Sequence, residues 1–458
     1  MPPENTQPRS RTSAVRTIGP VIPLAIALAH TALTRPVTPP PTTTTTTTTT
    51  IRHIPATTKP CQLNSSTNPC KAPFPLLSKD HPVDWWFVFK LNASKFPGCA
   101  GGASRSCIFG GQPANYPSFG QQYVVASSNA PALVDGISQC VGDSTGDPVG
   151  ATFNEVYNGN FHYVIWNDQP YGDPEIDNCK DACPDSWGHS KGMLAWNDDG
   201  DGFVMQVSTP SWPEAGSKDH PRETDGNTLG CVNNNDVKFS QHFFALRLDK
   251  DDVVEVLKGL ANASVATDPT NAQIVNNGGP SDVQALVNAL GTRSNSTSLV
   301  TRTLSSGVLF IAKPTDLNVP PWQMVSATLD GVPLRAATWW DATSIPSTTA
   351  DTPIQCWKDT LGSPGAVEIA KSGIWKNQPF VLTKGGNHAK IGVSTSETDH
   401  YAIFGDMNQQ GTLSGVGVNN GCANSQNGRG GMFFVMDNAQ LSTSLAELIK
   451  GDSAPVAK

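Results

Sequence analysis

The sequence predicts a mixed α/β fold of the α+β type, in which helices flank a mixed β-sheet. Strand-like runs of aromatic and β-branched residues lie at 83–90 and 163–166, and segments of helical periodicity follow at 251–260 and 282–290. With 38 % apolar residues, 11 Trp and 17 Phe in 458 residues, the chain can bury a sizeable core. Its length fits one large domain or two modest ones.

The N-terminus has the pattern of a secretory signal peptide, which we place at residues 1–33. Arg9, Arg11 and Arg16 precede an apolar run at 21–33 that contains a small-x-small site at 27–29. An uncleaved anchor is the alternative, although the run is short for a bilayer span. No later segment is apolar and long enough to cross a membrane, so we expect no membrane span in the mature chain.

Residues 34–60 are rich in Pro and Thr and include an unbroken run of threonines from 42 to 50. Such a segment cannot bury apolar surface, so we expect a disordered linker and place the start of the folded part near Cys61. Ten cysteines indicate disulfides and an oxidising compartment, and the sequence leaves their pairing open. A secreted or lumenal protein is therefore predicted.

The first half consists mainly of predicted strands, beginning with Val-Asp-Trp-Trp-Phe-Val-Phe-Lys at 83–90. A second strand at 163–166 ends in an Asn-Asp-Gln-Pro turn. The strand at 203–207 follows the turn signal Asp-Asp-Gly-Asp-Gly at 198–202. Residues 188–207 are therefore predicted to form a β-hairpin.

The second half contains clearer helices. Asp251 opens an apolar-periodic stretch that reaches Leu260, and Ser281 is placed to cap a helix at 282–290 that Gly291 ends. A closing helix is predicted at 445–450. Short strands alternate with these helices and are predicted at 307–313, 380–382, 401–404 and 432–436.

Two short strings carry most of the chemical information, His-Ser-Lys at 189–191 and His-Ala-Lys at 388–390. On a strand, this spacing points the imidazole and the ammonium to the same face. One such pair is usually two polar residues on a surface strand. Two pairs, one in each half (61–235 and 236–458), suggest a pseudo-twofold arrangement with a shared site on the axis. Two histidines and two lysines there could attack, hold and cleave a phosphodiester without a metal.

The residues around these pairs resemble the deoxyribonuclease II family of acid nucleases. In the first half, the strand at 83–91, Asn-Asp-Gln-Pro at 167–170 and Gly-His-Ser-Lys-Gly at 188–192 are similar to family motifs. In the second half, His-Ala-Lys stands where the family has His-Ser-Lys. Gly-Asp-Met-Asn at 405–408 matches the family, and Arg-Gly-Gly at 429–431 is similar to it. The motifs keep their order from about residue 83 to 436.

The resemblance implies a phospholipase D-like fold of two pseudo-symmetric halves, each with a mixed sheet flanked by helices. A monomer could then suffice, although family members can also be homodimers. It implies a metal-independent acid endonuclease that needs no cofactor and takes DNA as its substrate. Such an enzyme hydrolyses phosphodiesters through a phosphohistidine and leaves 3′-phosphates. Secretion or an acidic, lysosome-like lumenal compartment fits this activity.

The catalytic residues that the resemblance implies are His189, Lys191, His388, Lys390 and Asn408. We take His189 as the nucleophile and His388 as the acid, with the reverse assignment open. The two lysines would hold the non-bridging phosphate oxygens, and Asn408 would add a neutral donor.

The implied substrate-binding residues are Asn167, Asp406 and Arg429. Asn167 and its neighbour Asp168 also have the pattern of turn-forming residues. Arg429 could bind phosphate or simply lie in a Gly-rich loop. No metal ligand is implied.

Other functions stay open because of the charge and of two departures from the family pattern. The net charge of -8 is unusual for a protein that binds DNA, because a DNA cleft needs clustered Lys and Arg. Ala389 replaces a serine, and the stretch between Asn408 and Arg429 is longer than expected, which could reshape the cleft. The alternatives are a secreted phosphodiesterase or phospholipase D-like enzyme with a non-DNA substrate, and a non-catalytic secreted relative.

An acid preference is predicted from charge. Two lysines near two histidines disfavour imidazolium, so the pKa of the acid histidine should fall below its usual ~6.5. The pair would then hold its one required proton only at lower pH.

Overall fold

The computed structural model describes residues 72–92, 122–136, 141–142, 144–170, 175–177, 179, 182–210, 217–220 and 239–458. The predicted signal peptide and the Pro/Thr-rich linker lie outside these described residues. Within this part of the chain, no helix combines the length and the apolar character needed to cross a bilayer.

The first sheet is antiparallel throughout its eight described strands and has the order β3-β2-β1-β7-β6-β5-β4-β8. The prediction of a mixed sheet in the first half of the chain is therefore wrong for these strands. The strands are β1 (Trp85–Lys90), β2 (Tyr123–Ser127), β3 (Ala130–Asp135), β4 (His162–Asn167), β5 (Lys191–Trp196), β6 (Gly202–Val207), β7 (Gln241–Leu248) and β8 (Val275–Asn276).

The second sheet has seven strands among the described residues, in the order β12-β11-β15-β16-β17-β10-β9, and is mixed because β11 and β12 are parallel. A separate hairpin pairs β13 with β14, so the strand predicted at 380–382 lies outside both large sheets. The strands are β9 (Val300–Thr303), β10 (Leu309–Lys313), β11 (Leu334–Ala337), β12 (Val367–Ile369), β13 (Ser372–Trp375), β14 (Gln378–Val381), β15 (Ile391–Ser394), β16 (Tyr401–Gly405) and β17 (Gly431–Asp437).

The described helices are α1 (Pro148–Tyr157), α2 (Lys250–Asn262), α3 (Ser281–Asn288), α4 (Pro321–Thr328) and α5 (Ala439–Leu448). Asp147, Asp249 and Asn438 cap α1, α2 and α5, because each side chain accepts a hydrogen bond from a backbone N–H of the first turn. The predicted cap at Ser281 is wrong. Ser281 is the first helical residue of α3, and Pro280 takes the cap position without a side-chain bond.

The two large sheets pack face to face through stacked phenylalanines. Phe404 of β16 stacks on Phe87 of β1 and on Phe244 of β7, with ring centroids 4.7 and 4.4 Å apart. On the far side of the first sheet, Trp86 donates to Thr152 of α1, and on the far side of the second, the α4 residue Trp322 packs edge-on against Phe433. The layers are therefore α1, sheet, sheet, α4, which is an α+β fold as predicted.

The elements that carry the His-x-Lys pairs differ in detail from the prediction. Residues 188–207 contain the predicted antiparallel hairpin of β5 and β6. Lys191 is the first residue of β5, however, so His189 precedes the strand, and both residues of the second pair precede β15. The chain passes from the first sheet to the second between Asn276 and Val300, which is later than the predicted boundary at 235–236.

Two disulfides lie within the described residues, Cys179–Cys183 and Cys356–Cys422, and no described cysteine is free. The first bridge lies beside the end of β4, because the Cys183 N–H donates to the Asp168 carbonyl at 2.8 Å. The second ties the long stretch after Asn408 to the loop before β12. The disulfides predicted from the cysteine content are therefore present at these two pairs.

Glu155 of α1 makes the stability of this fold depend on pH. Its carboxylate accepts the Phe74 N–H at 3.1 Å, and burial, reinforced by Asp80, raises its pKa to about 8. The folded protein therefore binds more protons than the unfolded chain between pH ~4.5 and ~8, and this contribution to stability is lost as the pH rises through that window. Glu155→Gln should therefore stabilise the protein more at pH 8.5 than at pH 4.5. The increase in the free energy of unfolding should be larger at pH 8.5 by roughly 1–3 kcal/mol.

Urea unfolding at the two pH values measures this difference. Glu447→Gln, on the exposed surface of α5, is the matched control and should change the free energy of unfolding little at either pH, because its pair with Lys450 is exposed. Equal effects of Glu155→Gln at both pH values would mean that Glu155 does not carry the raised pKa.

Candidate active site

The first His-x-Lys pair lies in a tightly packed turn before β5. The Gly188 N–H donates to the Ser264 carbonyl and the His189 N–H to the Gly430 carbonyl, both at 2.8 Å. A Cβ at Gly188 or Gly430 would lie only 2.4 or 2.1 Å from the Ala263 carbonyl oxygen. Glycine is therefore required at both positions for the turn to approach the end of α2 and hold the His189 backbone.

The His189 ring has a defined proton position. Its Nδ1 lies 2.7 Å from the Asp406 carbonyl oxygen, which can only accept, so Nδ1 carries the hydrogen. In the neutral ring, Nε2 then has a lone pair and is the nitrogen available for attack. The ring is 9 % exposed.

The charge state of His189 is set by burial and by its neighbours. Burial lowers its pKa well below the usual value. Asp168 opposes this shift, whereas the cations Lys191, Lys390 and Arg429 add to it. The ring is therefore held neutral, as a nucleophile must be.

Asp168 is the anion at the centre of a buried ionic cluster. Lys191 Nζ lies 2.5 Å from one carboxylate oxygen, and Arg429 Nη2 lies 2.9 Å from the other. Burial alone would raise the pKa of Asp168, but these cations and the nearby His189 together lower it. Asp168 and Lys191 are 1 % and 2 % exposed. The carboxylate therefore fixes the direction of the Lys191 ammonium.

The second pair is held by three successive residues at the start of β7. The Ser240 carbonyl accepts the His388 N–H at 2.8 Å. The Gln241 side-chain amide lies 3.4 Å from His388 Nδ1. The buried His242 ring accepts the Lys390 N–H at its Nδ1. The first sheet thus positions the histidine and lysine that precede β15 of the second sheet.

Aromatic side chains hold the His388 ring between them. Phe239 stacks on it with ring centroids 4.6 Å apart and planes 10° apart, and Trp339 meets it edge-on at 6.1 Å. Burial lowers the pKa of His388 well below the usual value, and the charges of Lys390, Lys191 and Lys90 add to this effect. His388 is therefore charged only in acid solution.

The structure brings the two pairs together at the end of β16. The Gly405 N–H donates to the Lys390 carbonyl at 2.9 Å, and the next residue, Asp406, accepts the His189 ring hydrogen. The charges also interact across the pairs, because Lys390 acts on His189 and Lys191 acts on His388. Residues almost two hundred positions apart in sequence therefore share one electrostatic site.

The three residues predicted to bind substrate are engaged within the protein. The Asp406 carboxylate accepts from Gln206 at 3.1 Å and from the Met432 N–H at 2.9 Å. Burial raises its pKa to about 7. Asn167 accepts the Gln169 N–H, which is the turn-forming role also considered for it.

Arg429 is likewise committed to the protein. Besides its bond to Asp168, the Arg429 guanidinium donates to the carbonyls of Trp187 and Gly188, at 3.0 and 3.3 Å. Lys313 in turn donates to the Arg429 carbonyl at 2.8 Å, which anchors the loop before β17. Through these bonds, the guanidinium holds the turn that contains His189.

Asn408, predicted to donate to the substrate, contacts Gln410 and Gln426. Its buried Oδ1 has no hydrogen-bond partner among the described residues. The structure gives Asn408 no direct bond to either histidine within that part of the chain.

Sequence reasoning missed most of the residues that support the site. Asp168 was visible in the Asn-Asp-Gln-Pro motif but was read as a turn former. Gln206 is a single polar residue in the apolar strand β6, and Gln241 and His242 are the first two residues of β7, so neither position carries a distinctive pattern. Only the fold shows that Gln241 and His242 contact the second pair and that Gln206 binds the Asp406 carboxylate.

The arrangement suits the cleavage of a phosphodiester. It offers a neutral imidazole with its lone pair on Nε2, a second imidazole that takes up a proton in acid, and two ammonium groups for the phosphate oxygens. Among the described residues, no three His, Cys, Asp or Glu side chains converge so as to hold a metal ion.

Comparison with known proteins agrees with this chemistry. The family model for deoxyribonuclease II matches residues 75–452, which is nearly the whole chain. A comparison with curated proteins finds no match. The protein is thus a hydrolase of the deoxyribonuclease type, and the chain belongs to the deoxyribonuclease II family.

Proposed function

We propose that the protein is a metal-independent acid endonuclease that hydrolyses DNA through a phosphohistidine and leaves 3′-phosphates. The single observation that carries this proposal is the bond from His189 Nδ1 to the Asp406 carbonyl. It leaves the lone pair on Nε2 of a ring on which the charges of Lys191 and Lys390 act, so the attacking nitrogen and the cations that would hold a phosphate belong to one site.

The reaction takes place in two steps. His189 Nε2 attacks phosphorus and forms the N–P bond, while the P–O5′ bond breaks and the 5′ oxygen takes a proton from the His388 imidazolium. Neutral His388 then takes a proton from water, which attacks phosphorus and breaks the N–P bond. His189 is released neutral and His388 is again charged. Lys191 and Lys390 stabilise the charge on the non-bridging oxygens.

Acid dependence follows from the charge of His388. Its pKa is lowered, first by burial and then by neighbouring lysines, so the imidazolium needed for the first step forms only well below pH 6.5. Activity should fall as the pH rises through this lowered pKa. A secreted protein or one of an acidic lumen would work in these conditions, and the two disulfides support such a location.

The family also supports a phospholipase D-like fold of two pseudo-symmetric halves for this chain. In support, each pair leads into the strand that is third from one edge of its own sheet as described, β5 in the first sheet and β15 in the second. One chain would then supply both histidines, so a monomer would suffice.

Nicking of supercoiled plasmid in mildly acidic buffer with EDTA tests the proposal. We expect cleavage in the presence of EDTA, and products that a polymerase extends only after phosphatase treatment, because the 3′ end carries phosphate. Cleavage that needs added Mg²⁺, or products with a free 3′-hydroxyl, would contradict the mechanism. Hydrolysis of a lipid or small diester without any DNA cleavage would favour another substrate, which the net charge of -8 also allows. Inactivity on every diester would favour a non-catalytic relative.

A further inference from the structure

Gln241 is a neutral side chain placed against the acid histidine, and a neighbouring hydroxyl fixes its orientation. Ser208 Oγ accepts the His242 N–H at 2.8 Å and lies 2.7 Å from Gln241 Oε1. Gln241 Oε1 can only accept, so the Ser208 hydroxyl donates its hydrogen to it. The amide NH₂ therefore points at His388 Nδ1, 3.4 Å away.

An N–H donor aimed at Nδ1 distinguishes the two charge states of His388. Neutral His388 can accept this bond if its hydrogen is on Nε2. The imidazolium has hydrogens on both nitrogens, so its Nδ1–H would oppose the amide N–H. The charged ring would require the amide to turn and give up its bond from Ser208.

We propose that Gln241 is a positioning residue that holds His388 in its uncharged form and so sets how acidic the solution must be before His388 can donate a proton. This inference rests on the proposed function, in which His388 is the acid. It gives Gln241 a role distinct from burial and from the lysines.

The charged groups that act on His388 also favour its uncharged form, and none of them changes in the test. Lys90 of β1, Lys191 of β5 and Lys390 are cations that oppose a charge on the ring. Phe239 and Trp339 carry no charge. A change confined to position 241 therefore isolates the contribution of the amide.

Gln241→Glu reverses the preference, because a carboxylate accepts from Nδ1–H and stabilises the imidazolium. Titration of the histidine side chains in the full chain by ¹H–¹⁵N NMR, with His388 assigned by its loss in His388→Asn, measures the effect. We expect the His388 pKa to rise by at least about one unit, which is roughly a tenfold change in the proton affinity. The high-pH limb of the nicking activity should move by the same amount. Gln378→Glu, an exposed change on β14, is the charge-matched control and should move neither.

The wild-type spectrum tests the inference without any variant, since the ¹⁵N shifts show which ring nitrogen is protonated. At neutral pH, the hydrogen should be on Nε2 of His388. A hydrogen on Nδ1 there, or an unchanged His388 titration in folded Gln241→Glu, would overturn the role of Gln241. A shifted titration in a protein that cleaves no DNA at any pH would instead refute the proposed function and leave the control of His388 by Gln241 standing.

Discussion

His189→Ala and His388→Ala should each reduce plasmid nicking at acid pH by about 1,000-fold or more. In the proposed mechanism, the first change removes the nucleophile and the second removes the proton donor, and both groups act in the same phosphoryl transfer. The fold should survive both changes. His189→Ala leaves the Asp406 carbonyl without one bond, a loss of about 1 kcal/mol, and His388 lies at the edge of the site, where it is only partly buried.

A diester with a good leaving group separates the two roles. Bis(p-nitrophenyl) phosphate releases a phenolate that needs no proton, so His388→Ala should still give a burst of about one nitrophenolate per enzyme. The burst should then stop, because the phosphohistidine lacks the base that activates water. His189→Ala should give no burst. A burst from His189→Ala but not from His388→Ala would mean that His388 is the nucleophile and His189 the acid.

His400→Ala is the matched control for both changes. His400 is exposed and precedes β16 at the end opposite Gly405, so its removal should leave nicking unchanged. Near-normal nicking by His388→Ala would contradict the paired site altogether.

The sequence predicted strands that form aromatic or β-branched runs and helices that keep a polar face, and it missed the helices that are buried almost all round. The aromatic run of β1, the β5–β6 hairpin and the amphipathic α2 were evident. Helix α4 was not, because seven of its eight residues, from Pro321 to Ala327, are buried, so it shows no polar face. Helix α1 is similar and is also largely buried. Burial of this kind depends on the packing of the sheets and is not encoded locally.

The candidate site, too, was predictable from the sequence only in part. The two His-x-Lys pairs were visible because a paired imidazole and ammonium is rare in any segment. The groups that position them come from the residues just after β4 and β16, from the start of β7 and from the loop before β17, which only the fold brings together. Asp406 illustrates the difference, because a resemblance predicted that it contacts substrate. In the structure, its carboxylate is turned inward to Gln206 and the Met432 N–H, and its carbonyl holds His189.

Asp168→Asn should cause a large loss of stability, by about 3–5 kcal/mol. The carboxylate is the shared counter-ion of Lys191 and Arg429, all three are almost fully buried, and its removal leaves two buried cations without compensation. The folded-state pKa of Asp168 is lowered, so this contribution is present above the unfolded-state pKa of ~3.9 and is lost only as the pH falls through the much lower folded value. The destabilisation should therefore be nearly the same at pH 7 and pH 5.

Urea unfolding at these two pH values measures the loss, and Asp282→Asn is the matched control. Asp282 also pairs with one lysine, Lys250 at 3.0 Å, but both side chains are exposed, so its removal should have little measurable effect. Adding Arg429→Met to Asp168→Asn should restore part of the lost stability, because it removes one of the two uncompensated charges. A cost for Asp168→Asn as small as that of Asp282→Asn would show that the cluster is not a buried ionic unit. Asp168 would then not hold the Lys191 ammonium in place, and the proposed role of Lys191 would lose this support.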